Sequence, residues 1–217
     1  MKLSEREVNP CGDKVVMPIF TEPEGATPLD PDEIEGLIYS HIETRDELNA
    51  LENANVADCL VWLSSQPTLS SEEILSLDFA RALHEKMFSR VWGWAGDFRT
   101  TEKNIGCAPN QIRVNLHNLF EDIKCWIEFE HYGLLELSAR IHHQLVKIHP
   151  FPNGNGRHSR IFTNCLREKG LGLEPVIWAT GNIDRQNEER REYIDSLRQA
   201  DRNNYQPLIS YLVGRGN

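Results

Sequence analysis

Residues 149 to 160 read His-Pro-Phe-Pro-Asn-Gly-Asn-Gly-Arg-His-Ser-Arg and lie between two segments with helical apolar spacing. That order describes a loop running into a helix N-terminus, where the first backbone N–H groups have no intrahelical acceptor. Such an end attracts anions through those N–H groups and the helix dipole. Gly154 and Gly156 allow close approach of a phosphate, and Arg157 and Arg160, three apart, share one helix face for forked contacts to phosphate oxygens. A nucleoside di- or triphosphate suits this arrangement. His149, just upstream, is placed beside such an anion, as a general base for an incoming hydroxyl would be.

The elements that must position these groups are amphipathic helices. Thr44 and Glu47 form a capping box ahead of Leu48, Leu51, Cys59 and Leu63, predicting a helix to about residue 63. Ser70 with Glu73 opens another capped segment, followed by a long helix carrying Leu77, Ala80, Leu83, Met87 and Val91. Ile112, Leu116, Leu119, Ile123 and Ile127 form a third stripe. Leu134, Leu137, Ile141, Leu145 and Ile148 form the one that delivers His149. Beyond the loop, Ile161, Phe162, Cys165 and Leu166 run to a Gly170 C-cap, Asp184 caps a charged helix, and Tyr205, Leu208, Ile209 and Leu212 mark the last amphipathic stretch. Between 92 and 106, glycines and a mixed pattern break the helix and suit a short hairpin, with Trp94 and Phe98 as anchors. His84 reads as a surface or internally satisfied histidine. His142 and His143 lack the spacing and carboxylate partner of a zinc site.

Composition bounds the remainder. With 217 residues, 40% hydrophobic and 26% charged, the chain suits one globular domain, 33 to 217, preceded by an arm over 1 to 32. Five cysteines without C-x-x-C spacing indicate reduced thiols, and no apolar run has membrane-spanning length, so a cytoplasmic protein is expected. A net charge of −10 argues against a broad nucleic-acid footprint.

The loop stretch resembles the Fic family signature, His-x-Phe-x-(Asp or Glu)-Gly-Asn-Gly-Arg-x-x-Arg, at every fixed position but one. The run from Thr27 onward, TPLDPDEIEGLIYSHIETRDELNALENAN, is similar to the opening of the mobile mystery protein B subfamily, associated with mobile genetic elements. The resemblance implies an all-α helical bundle with a small β-hairpin flap over the active-site cleft. It further implies a transferase that moves AMP from ATP to a Ser, Thr or Tyr hydroxyl of a protein target. Carried over by position, His149 is the base, Phe151 seats the loop, Gly154, Asn155 and Gly156 cradle the phosphates, and Arg157 and Arg160 hold them. Thr101, Lys103, Asn104 and Ile105 fall in the flap, about 100 to 112, which would hold the target as an added strand.

The departure is Asn153, where the family usually has a carboxylate that helps hold Mg²⁺ between the phosphates. An amide oxygen can ligate that ion but adds no charge. Asn153 keeps open a degenerate protein that binds nucleotide without catalysis and serves as an interaction partner. The cradle reads phosphates and not bases, which also keeps open transfer of another phosphate-linked group. Glu52-Asn53 is similar to the end of the family's inhibitory motif, in which a glutamate reaches the second arginine, here Arg160, and blocks the γ-phosphate. The plain reading of Glu52 is a solvated helix glutamate. A regulatory or antitoxin-like partner is expected alongside ATP and the protein target.

Overall fold

The apolar stripes form helices that bury them against one another. The computed structural model describes residues 30–39, 42, 44–66, 69–178 and 188–213. Among these, α1 spans Pro31–Ile34, α2 Arg45–Ser65, α3 Ser71–Ile74, α4 Leu77–Phe88, α5 Ile112–Glu128, α6 Leu134–Ile148, α7 Asn155–Cys165, α8 Glu188–Ala200 and α9 Gln206–Val213. The arm up to residue 29 and the Asp184 cap lie outside the described residues. No described helix is long and apolar enough to cross a membrane.

Local chemistry accounts for the helix starts. Thr44 and Ser70 each accept from the backbone N–H three residues on, and Glu47 and Glu73 accept in return from the cap N–H. The Ser76 hydroxyl accepts from Phe79 N–H at the start of α4. These contacts satisfy orphan donors that water would otherwise serve.

The stripes then pair. α2 packs on α4, α4 on α7, α7 on α6 and α6 on α5, closing one core around Leu48, Leu83, Met87, Leu116, Ile123, Ile141 and Phe162. The far side of α6 meets α9, which packs on α8 around Tyr193, Tyr205 and Leu208. α6 and α7 are thus central, and the loop joining them is held on several sides. Leu134 departs from its predicted stripe and is half exposed, because it is the first residue of α6 and precedes the packed turns. Nor does Gly170 end α7 as a left-handed cap. The helix widens into a π-turn over Leu166–Gly170, whose last carbonyl accepts from the Ser71 hydroxyl, and positive φ falls at Gly172.

The expected hairpin is also absent. Among the described residues there is no strand, only an isolated bridge between Leu37 and Trp92. The backbone groups that could pair across 100–112 are engaged elsewhere. Thr101 and Cys107 carbonyls accept from the Arg99 guanidinium, and Cys107 N–H donates to Ile148 O at 3.3 Å. The Thr101 hydroxyl donates to Asp30 at 2.7 Å, and the buried Lys103 ammonium donates to Asp30 at 2.9 Å and also to Glu33. Lys103, the main cause, and Thr101 hold the Asp30 carboxyl below the usual range. Pro109 opens a 3₁₀ turn that leads into α5. The segment is therefore a loop strapped to α1 and to the end of α6.

Candidate active site

α6 ends at His149, whose φ of 54° turns the chain out of the helix. Nδ1 lies 3.2 Å from Val146 O, and because a carbonyl only accepts, Nδ1 carries the hydrogen and Nε2 is the basic nitrogen. Burial lowers its pKa to about 4, aided by the nearby Arg99 and Lys103 charges and opposed by the Val146 bond. The imidazole is accordingly neutral at pH 7 and able to take a proton.

Phe151 seats the loop. It is fully buried and stacks on His84 with ring centroids 3.8 Å apart, and it meets His158 edge-on. His84 is a buried bridge rather than a surface histidine. Its Nε2–H donates to Asn153 O and its Nδ1 accepts from Gly96 N–H, both at 3.0 Å. Asn155 closes the turn, since its side chain accepts from Phe151 N–H at 2.9 Å and donates to Phe151 O at 2.7 Å. What Asn155 offers an anion is therefore its own backbone N–H in the first turn of α7. Gly154 precedes α7 with φ of 76°, and a Cβ there would lie 2.5 Å from the Phe88 ring, so the turn admits glycine alone. Gly156 is inside the first turn and opens toward Tyr193.

His149, Asn153, Gly154, Asn155, Gly156, Arg157 and Arg160 line one cleft of about 650 Å³. Arg45 and Asn49 of α2, Lys147 of α6, and Arg190, Tyr193 and Arg198 of α8 complete its walls, with Asp201 as the acidic member. The basin is cationic on a chain whose net charge is −10, which suits a polyanionic ligand. Asn104 and Ile105 also reach the cleft, whereas Thr101 and Lys103 turn inward to Asp30 and Glu33. The four candidate flap residues thus divide into two at the cleft edge and two that strap the loop.

Glu52 departs from both sequence readings. It is fully buried, and its Oε2 accepts from Arg157 Nη2 at 2.6 Å, so its partner is the first arginine of the stretch and not Arg160. Arg160 Nε donates to Gly156 O at 3.1 Å. Glu52 Oε1 accepts from Trp92 Nε1 at 2.6 Å and lies 3.4 Å from Asn153 Nδ2. Elsewhere, His142 pairs with the Tyr193 hydroxyl, and His143 with the Tyr205 hydroxyl and Asp201.

Two positioning residues escaped the sequence reading. Arg99 is 3% exposed and donates from Nε to His149 O at 2.6 Å while gripping Thr101 and Cys107, which ties the loop above the site to the histidine's own backbone. Gly106 has φ of 123°, and a Cβ would lie 2.9 Å from His149 Cβ and closer still to Arg99. An arginine ending the Trp-Ala-Gly-Asp-Phe-Arg run is the signal that could have flagged the first.

Fold and site together define a helical domain that presents a histidine, a helix N-terminus and two arginines in one cleft. A family model described as Fic/DOC family matches residues 74–166. It is 31% identical over 121 residues to the protein adenylyltransferase Fic of Culex quinquefasciatus, covering 54% of this chain and 23% of that protein. To the one of Nematostella vectensis it is 27% identical over 161 residues, covering 72% and 35%. The chain thus spans about a quarter to a third of the length of these curated relatives. The solved Fic-1 of C. elegans superposes with a TM-score of 0.62 at 24% identity, covering 83% of this chain and 51% of that one. BepC of Bartonella tribocorum, solved with bound AMPPNP, gives 0.63 at 18% identity, covering 84% and 96%. These likenesses, at low identity, concern the fold.

Proposed function

We propose that the chain is a protein adenylyltransferase that moves AMP from ATP to a hydroxyl of a target protein. The observation that carries this reading is the placement of the basic Nε2 of His149 in one cleft with the α7 N-terminus, Arg157 and Arg160. The names of the relatives support it.

His149 accepts the target hydroxyl proton as the oxygen attacks the α-phosphorus. The bond to the bridging oxygen breaks, and pyrophosphate leaves. The backbone N–H groups at Gly154, Asn155 and Gly156 cradle the phosphates, and Arg157 and Arg160 orient the chain in line and balance charge on the leaving group. A divalent ion, Mg²⁺ in this reading, enters with the nucleotide as part of the substrate. The chain offers it the neutral Asn153, while the carboxylate next to that amide is held by Arg157 and Trp92. No group of three or more His, Cys, Asp or Glu among the described residues is arranged to hold a metal. The described residues therefore form no charged metal site of their own. The target meets the cleft at Asn104 and Ile105, and the strapped loop presents them without a preformed strand.

The four described cysteines are unpaired, which supports a reducing, cytoplasmic setting. The likeness of the opening segment supports a regulatory or toxin-like role on mobile DNA, with an antitoxin-like partner. Incubation with α-³²P-ATP, a divalent ion and cell lysate tests the activity, and labelled protein that requires His149 is expected. Nucleotide binding without labelling of any acceptor would select the non-catalytic reading that the uncharged Asn153 favours.

A further inference from the structure

A second cavity, of about 400 Å³, opens beside the cleft that holds His149. The last turn of α6 divides the two. His143 and Val146 line the cleft, Gln144 and Ile148 line the cavity, and Lys147 borders both. The loop above the site is divided likewise, with Asn104 and Ile105 at the cleft and Gly106 and Cys107 at the cavity. An extended segment crossing this ridge passes from His149 to the cavity in about two or three residues, at roughly 3.3–3.6 Å each.

The walls of the cavity are fixed and its polar groups are available. Cys107 N–H donates to Ile148 O and its carbonyl accepts from Arg99, which pins the loop wall to the end of α6. Asn118, Asp122 and Trp126 recur every four residues, so they share one face of α5 and form another wall. Trp126 is half-buried and braced edge-on by Tyr132, with ring centroids 5.4 Å apart. Gln144 donates from Nε2 to the Tyr205 hydroxyl at 3.4 Å, which leaves its amide oxygen to accept. Among the described residues the Asn118 and Asp122 side chains enter no hydrogen bond or ion pair. Lys124, the nearest cation along α5, is taken by Glu121 at 2.7 Å. A carboxylate, amide oxygens and an indole face thus await a donor-rich side chain with a flat or apolar body. The arginine guanidinium supplies that combination, since its fork matches a carboxylate and its plane stacks on an aromatic ring.

We propose that this cavity is a specificity subsite for the protein target, taking an arginine side chain about two or three residues from the hydroxyl that His149 deprotonates. The pocket chemistry stands on the geometry, and its link to the target rests on the proposed function. An acidic side chain at that register meets the Asp122 carboxylate and is disfavoured.

The test has two arms, each run on the full chain and on Asp122→Lys, a change at an exposed helix position that leaves the core intact. In the first, synthetic peptides with a central Ser, Thr or Tyr carry Arg, Glu or Ala walked along the flanking positions, and label transfer from α-³²P-ATP gives kcat/KM. Wild type should favour Arg over Glu by about 10-fold or more at the second or third position from the acceptor and not at the adjacent one. Asp122→Lys should reverse that order. A preference independent of register, or the same preference in Asp122→Lys, would overturn the proposal. In the second arm, N-acetyl-arginine amide is titrated without nucleotide while the side-chain NH₂ of Asn118 and the indole N–H of Trp126 are followed by ¹⁵N NMR. Both signals should move in wild type and stay in Asp122→Lys, with N-acetyl-glutamate amide moving neither. Signals that do not move with the arginine amide would overturn the subsite. A wild type that labels no peptide counts against the proposed function, and the second arm then decides the pocket by itself.

Discussion

Acid should destabilise this protein through its buried histidines, and the size of the effect follows from their surroundings. Burial lowers the pKa of His149 and of His158 from 6.5 to about 4, and those of His84 and His142 well below the ordinary range. A lowered histidine value means that the unfolded chain binds a proton the native chain refuses. Stability is therefore full above pH 6.5, falls as pH drops through that value, and levels off near 4 for His149 and His158. With those two values, each histidine costs well under 1 kcal/mol at pH 7 and about 2 kcal/mol at pH 5. His149 and His158 together thus remove about 3 to 4 kcal/mol between these pH values, and His84 and His142 add to it, a large share of the usual 5–15 kcal/mol or so of a domain. Burial is the main reason that the His84 ring resists the charge, and protonating it would also remove the acceptor of Gly96 N–H. Urea unfolding at pH 7 and pH 5 should show a midpoint lower by about 1 M or more at the acid value, given slopes of about 1–3 kcal/mol/M. His158→Gln, which keeps a donor for Ala80 O, should shrink the acid loss by about 2 kcal/mol while lowering stability at pH 7. Midpoints that agree within error at the two pH values would refute the reasoning.

Three further outcomes are expected. His149→Asn, an amide that tolerates the left-handed turn and can still donate to Val146 O, should keep the fold and nucleotide binding while transfer falls about 10²-fold or more; unchanged labelling would remove His149 from the chemistry. Arg160→Ala should weaken ATP more than ADP in equilibrium titrations, at about 1.5–3 kcal/mol, and an equal loss for both would move Arg160 off the terminal phosphate. Gly106→Ala should cost roughly 1–3 kcal/mol from backbone strain, with more from the contacts to Arg99 and His149, so a melting midpoint equal to wild type would contradict the tight passage over the histidine.

Much of the architecture was legible in the residues because it is local. The helices of the main stripes, the capping boxes at Thr44 and Ser70, and the loop that turns into α7 all depend on spacings of three or four residues, within reach of propensity and periodicity. The same locality placed His149, Gly154 and the two arginines together, since they lie within 12 consecutive residues.

Partners far apart in the chain could not be read that way. Glu52 and Arg157 are 105 positions apart, and whether the glutamate faces water, Arg160 or Arg157 depends on how α2 docks against α4 and the loop. Lys103 and Thr101 carry a flap-like pattern, yet Asp30 and Glu33, about 70 positions upstream, hold them as a strap, because a buried ammonium needs carboxylates more than a backbone needs a second strand. Arg99 is the clearest case: one guanidinium binds His149 O, Thr101 O and Cys107 O, three carbonyls that only the folded chain assembles. Short-range spacing determined which groups could do the chemistry. Tertiary packing decided which charges stand behind them, since a buried charge is stable only where other elements bring its partners.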